Sequence, residues 1–168
     1  MGIRDIYWTY DPLVARNAHL NLSRMGARVR EFVPAMYGEG TNSPLQGDMP
    51  TDRFVVAWAV DPAESAAELR EIPPDAVTVV HADTGSSTAG AGDTVQGSPS
   101  AALPDVAHIA VRVPRDISSL AAADISAARR WRFATRHAFA HYLSRGYRVD
   151  GFVADADGGT YLLTRSMP

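Results

Sequence analysis

Over the first forty residues the apolar pattern changes period twice. Ile6, Tyr7, Trp8, Thr9 and Tyr10 are β-branched or aromatic and predict a strand. Asp11-Pro12 then supplies an N-cap oxygen and a ring pre-set for a first helical turn. The helix it predicts ends at Met25-Gly26, and a strand from Ala27 to Val33 follows before Pro34. At 100° per residue, Val14, Ala18, Leu22 and Met25 form one apolar stripe, with Leu13 and Leu20 a quarter-turn away. Asn17 and Asn21 fall inside that arc. Two buried amides need partners, either neighbouring backbone or a ligand.

Glu39 to Asp52 reads as an irregular loop. Arg53 to Val60 is apolar on both faces after Arg53 and predicts an interior strand. Asp61-Pro62 predicts a short helix from Ala63 to Arg70, and Ala76 to His81 another strand. Ala82 to Leu103 is small, polar and glycine-rich, a linker pattern taken to span 82–105. The second half then repeats the first: a strand at His108 to Val113, a helix from Asp124 to Arg145, and strands at Tyr147 to Ala154 and Thr160 to Thr164. Setting Gly146 against Gly26 matches Ala138 to Ala18, Val149 to Val29 and Phe152 to Phe32. The fold expected is α/β with a mixed sheet, built from two strand-helix-strand-strand units at 1–81 and 106–168 that share one core.

At 168 residues and 46% hydrophobic, the chain is long enough for such a core. A net charge of −3 gives no electrostatic case for nucleic acid or an anionic membrane. There is no cysteine, which removes thiolate nucleophiles, disulfides and cysteine metal sites. All sixteen basic residues are arginine, so Schiff-base and P-loop lysines are absent too. No apolar run approaches the roughly 20 residues of a membrane span, and a cytoplasmic location is expected.

Trp8-Thr-Tyr-Asp-Pro-Leu13, Asn17-Ala-His-Leu-Asn-Leu22, Gly26-Ala-Arg-Val29 and Tyr37-Gly38 stand in an order that resembles the C-terminal half of the GNAT (GCN5-related N-acetyltransferase) fold, in particular large predicted acetyltransferases. The resemblance covers residues 3–60. It implies that the first strand lines one side of a splayed crevice for the pantetheine arm of acetyl-CoA or another acyl-CoA, with Thr9, Tyr10, Asn17 and Asn21 as ligand-binding residues. The family often carries an acid tyrosine four residues before the helix-closing glycine; Leu22 stands in that slot here. Its pyrophosphate turn precedes the strand corresponding to Ile6–Tyr10, where this chain begins. The Gly-x-Gly of the glycine-rich stretch, Gly90 and Gly92, has Ser87 in the place of the expected Gln or Arg and no helical pattern after it, so it reads as linker. The expectation is an acyltransferase-related protein deficient in acetyl transfer on its own.

The second unit fills the tyrosine slot with Tyr142, four residues before Gly146. Tyr142 and its neighbour His141 are therefore the catalytic candidates, against the alternative of a core tyrosine on the arc of Trp131, Thr135 and Phe139. His137 and His141 stand at i,i+4, but no third ligand is near in sequence and no metal is expected. Arg129, Arg130, Arg132 and Arg136 read either as a phosphate clamp or as a solvated face. Rival functions are a non-catalytic binding or assembly module, and a different small-molecule enzyme using His137, His141 or Tyr142. The apolar first strand leads to an expected homodimer, or to a partner polypeptide that supplies the missing half.

Overall fold

The structure, a computed structural model, describes residues 2–38, 49–66, 68–81 and 103–165. It is a mixed α/β arrangement, but in place of the one mixed sheet expected there are two, an antiparallel sheet in the first half and a mixed sheet that Val77–Val80 and the second half form. In the first, β1 (Asp5–Tyr10), β2 (Arg28–Val33) and β3 (Arg53–Ala59) are antiparallel in the order β1-β3-β2. The apolar β3 takes the centre, with Phe54 opposite both Tyr10 and Phe32. The second sheet has the order β4-β5-β7-β6, from β4 (Val77–Val80), β5 (His108–Pro114), β6 (Arg148–Asp155) and β7 (Gly158–Thr164). β4 runs parallel to β5, and the other pairs are antiparallel.

Each half thus places its first, third and second strand side by side in that order. The correspondence extends to detail. Gly26 (φ +66°) and Gly146 (φ +83°) both take the left-handed backbone that closes the preceding helix. Three residues later each following strand breaks register, between Val29 and Glu31 and between Val149 and Gly151.

Three α-helices occur among the described residues. α1 (Ala15–Ala18) runs directly into a π-helical segment, His19–Arg24. α2 (Ile117–Ala123) is capped by Asp116, and α3 (Ile125–Leu143) by Asp124, whose carboxylate accepts the Ala127 N–H at 3.0 Å. The aromatic core lies between the sheets. Phe139 of α3 sits 4.8 Å from Phe54 and 5.3 Å from Tyr161, ring centre to ring centre, and those two rings meet edge to face at 5.6 Å. No helix among the described residues is long and apolar enough to cross a membrane.

Four local expectations need correction. The first helix does not start on Asp11: Asp11 opens a turn through the Leu13 and Val14 N–H groups, and helical geometry begins at Ala15. Its carboxylate is drawn instead to α3. The helix expected from Ala63 to Arg70 is a single 3-10 turn, Pro62–Glu64, because the chain beyond it bonds to the first unit through Ala66 N–H and the Gly26 carbonyl, 2.9 Å. A separate helix, α2, precedes Asp124. The expected loop ends in a buried anchor, Asp52, which is 1% exposed. Residues 39–48 of that loop, and most of the expected 82–105 linker with Ser87, Gly90 and Gly92, lie outside the described residues.

Candidate functional site

A cleft of about 550 Å³ opens where the C-terminal end of β1 meets the start of α1, the Met49–Arg53 segment, α2 and α3. Its polar lining includes Thr9, Asp11, Asn17, Ser118, Arg53 and Arg132. Val14, Ile117, Ala121 and Ile125 form its apolar wall. The volume falls within the range of small-molecule sites, and the lining mixes polar and apolar groups in an open cleft.

The charged floor is built from distant parts of the chain. Arg132, only 3% exposed, donates from Nη1 and Nη2 to the two carboxylate oxygens of Asp11 at 2.8 and 2.6 Å. Arg53 approaches the same carboxylate at 3.4 Å. One turn along α3, Arg136 forks onto the buried Asp52, with Nη2 2.6 Å from Oδ1. Asp52 also accepts the Ala35 N–H at 2.9 Å. Two of the four α3 arginines are therefore neither a solvated face nor a free clamp: they tie the second unit's helix to the first unit. Arg129 and Arg130 are exposed.

Of the four ligand-binding candidates, Thr9, Tyr10 and Asn17 line the cleft and Asn21 does not. Asn21 is 6% exposed and fully occupied, accepting the Trp8 indole N–H at 2.8 Å and donating to the Asn17 carbonyl at 2.7 Å. The π-helical segment that carries it also buries Leu22 while leaving Leu20 52% exposed. Tyr10 reaches the cleft with little of its surface. Tyr161 donates its hydroxyl proton to the Pro12 carbonyl at 2.8 Å, so across the 3.3 Å contact the Tyr10 hydroxyl is the donor. Burial holds both phenols far above their ordinary pKa.

The two catalytic candidates lie elsewhere. Tyr142 is 1% exposed, donates to the Pro104 carbonyl at 3.0 Å and packs on Tyr147, and burial pushes its hydroxyl up to about 12. His141 is lowered by burial and then by the neighbouring Arg145 and His137 charges. Its Nδ1 lies 3.2 Å from the Arg145 guanidinium. Neither residue lines the cleft. The His137 and His141 rings are 6.2 Å apart, and no group of three potential metal ligands occurs among the described residues.

What sequence reasoning missed is the Asp11, Arg53 and Arg132 cluster. A signal existed: Arg132 stands on the same helical stripe as Ala128, Thr135 and Phe139, all buried. Chemically, the described lining offers amide and hydroxyl hydrogen bonds, two guanidinium groups and one carboxylate already engaged with them. Comparison of the chain with protein-family models, with curated proteins and with solved structures gives no match in any of the three.

Proposed function

We propose that the chain is a cytoplasmic, GNAT-related module that binds an acyl-CoA or a pantetheine-like arm in the cleft beside β1. The observation that carries this reading is the convergence of Thr9, Tyr10 and Asn17 on one cleft at the end of an edge strand. A pantetheine arm carries two amides, and the Thr9 hydroxyl and Asn17 side-chain amide at the cleft are groups that can meet them. Binding without efficient transfer is the better supported form of the proposal, because in the described lining the Asp11 carboxylate is engaged by Arg53 and Arg132 and the Tyr10 hydroxyl is buried against Tyr161.

Thermal melts in the presence of acetyl-CoA, CoA and pantetheine test it. Ligand at a hundred times its Kd contributes about 2.7 kcal/mol, and the melting temperature is expected to rise on the order of 5–10 °C. Asn17→Ala should weaken binding roughly fivefold, the loss of one hydrogen bond. Unchanged melting with all three compounds at millimolar concentration would defeat the proposal.

We also propose that β1 pairs with a second copy of the chain. It is an edge strand, and Ile6 and Tyr7 are 44% and 58% exposed. Light scattering after size exclusion at micromolar protein is expected to give the mass of two chains; a stable single-chain mass removes the dimer.

A further inference from the structure

We propose that the charged end of the cleft takes a carboxylate carried on a short apolar body, with the Arg53 guanidinium as its anchor. This deepens the reading of the cleft as the ligand site and rests on it. The argument starts from charge. Among the described lining residues there are two guanidinium groups and one carboxylate. Asp11 is committed to Arg132 through two short hydrogen bonds, 2.8 and 2.6 Å, and it accepts the Leu13 N–H at 2.9 Å as well. Arg132 is itself under-supplied, since its Nε is buried without a partner.

Arg53 is the loosely held member. Its contact with Asp11 is 3.4 Å long, and among the described residues its guanidinium donates to the neighbouring Asp52 carbonyl at 3.2 Å. Its guanidinium stands 5.5 Å over the Tyr37 ring. The side chain is 13% exposed, so this surplus positive charge sits largely out of water and is expensive to leave uncompensated. A carboxylate matches a guanidinium fork in shape and cancels the surplus of one charge; a phosphate dianion would overshoot it. The wall of Val14, Ile117, Ala121 and Ile125 suits an apolar chain attached to that carboxylate, and Asn17 and Ser118 supply neutral hydrogen-bonding groups beside it.

The experiment is calorimetric titration of the full chain at low salt with sodium butanoate, butanol and inorganic phosphate. Butanoate is expected to bind saturably, butanol not at all, and phosphate at least several-fold more weakly than butanoate. Arg53→Gln should weaken butanoate tenfold or more, and Arg53→Lys should retain part of the affinity. Equal binding of butanol and butanoate, tighter binding of phosphate, or unchanged butanoate affinity in folded Arg53→Gln would overturn the proposal. If Arg53→Gln does not fold, the butanoate and butanol pair on the unsubstituted protein decides alone. Acetyl-CoA binding with silent butanoate would remove this inference and leave the pantetheine reading, whereas butanoate binding with silent acyl-CoA would do the reverse.

Discussion

Asp11→Ala is expected to cost about 3–5 kcal/mol of stability, the loss typical when one member of a buried ion pair is removed. The substitution strands the guanidinium of Arg132, which is 3% exposed and has its fork on Asp11, and it withdraws the counter-charge from Arg53. It also deletes the acceptor of the Leu13 N–H that turns the chain from β1 toward α1. Arg132→Met should be similarly damaging when made alone. The double variant Asp11→Ala/Arg132→Met is expected to be clearly less unstable than the two losses added together, because the desolvation cost of both charges disappears at once. Denaturant midpoints for the four proteins close the cycle. Additive losses, or an Asp11→Ala cost below about 1 kcal/mol, would show that the pair does not join α3 to the first unit in the way the distances imply.

Phe139→Ala is expected to cost a similar amount, about 3–5 kcal/mol, for a different reason. Its ring touches Phe32 and Phe54 in the first sheet and Tyr161 in the second, at centroid distances of 5.6, 4.8 and 5.3 Å. Truncation therefore opens a cavity between the sheets that neither can fill without moving against the other. Phe139→Leu keeps most of the volume and should cost far less than Phe139→Ala. Since the two units share this cluster, unfolding followed by tryptophan fluorescence and by far-ultraviolet circular dichroism should give one coincident transition. Trp8 and Trp58 report on the first unit and Trp131 on the second. Two separated transitions in the unsubstituted protein would mean that each unit folds on its own core.

The same residues show how far the sequence alone reaches. Local signals were legible where a single residue type had one physical use: Gly26 and Gly146 close helices, and the aromatic run at Ile6–Tyr10 makes a strand. The apolar β3 occupies a sheet centre for the reason its pattern suggests, having no polar face to give to solvent. The matching strand order of the two halves follows the repeat seen in the sequence, whereas the register breaks three residues after each glycine are visible only in the structure.

What escaped depends on groups far apart in the chain. Arg132 meets Asp11 and Arg136 meets Asp52 across 121 and 84 residues, and no periodicity encodes which aspartate an arginine will find. Capping is the commonest local use of an aspartate in the place of Asp11; in the fold its carboxylate accepts the Leu13 N–H and holds the distant Arg132. The stretch after Pro62 has helical composition, yet a tertiary hydrogen bond to Gly26 holds it otherwise. Asn17 and Asn21 part company because the π-helical segment turns Asn21 inward to Trp8 and leaves Asn17 lining the cleft.

The most direct test of the cleft as the ligand site is a titration of ¹⁵N-labelled protein with acetyl-CoA and with pantetheine, followed by amide chemical shifts. Saturable shifts are expected at Thr9, Tyr10, Asn17 and Thr51, and none at a second crevice, of about 470 Å³, that lies between β2, α3 and the Tyr147–Val149 segment. Shifts confined to Phe32, Leu143 and Tyr147 in that second crevice, or no saturable shifts anywhere, would contradict the cleft as the ligand site.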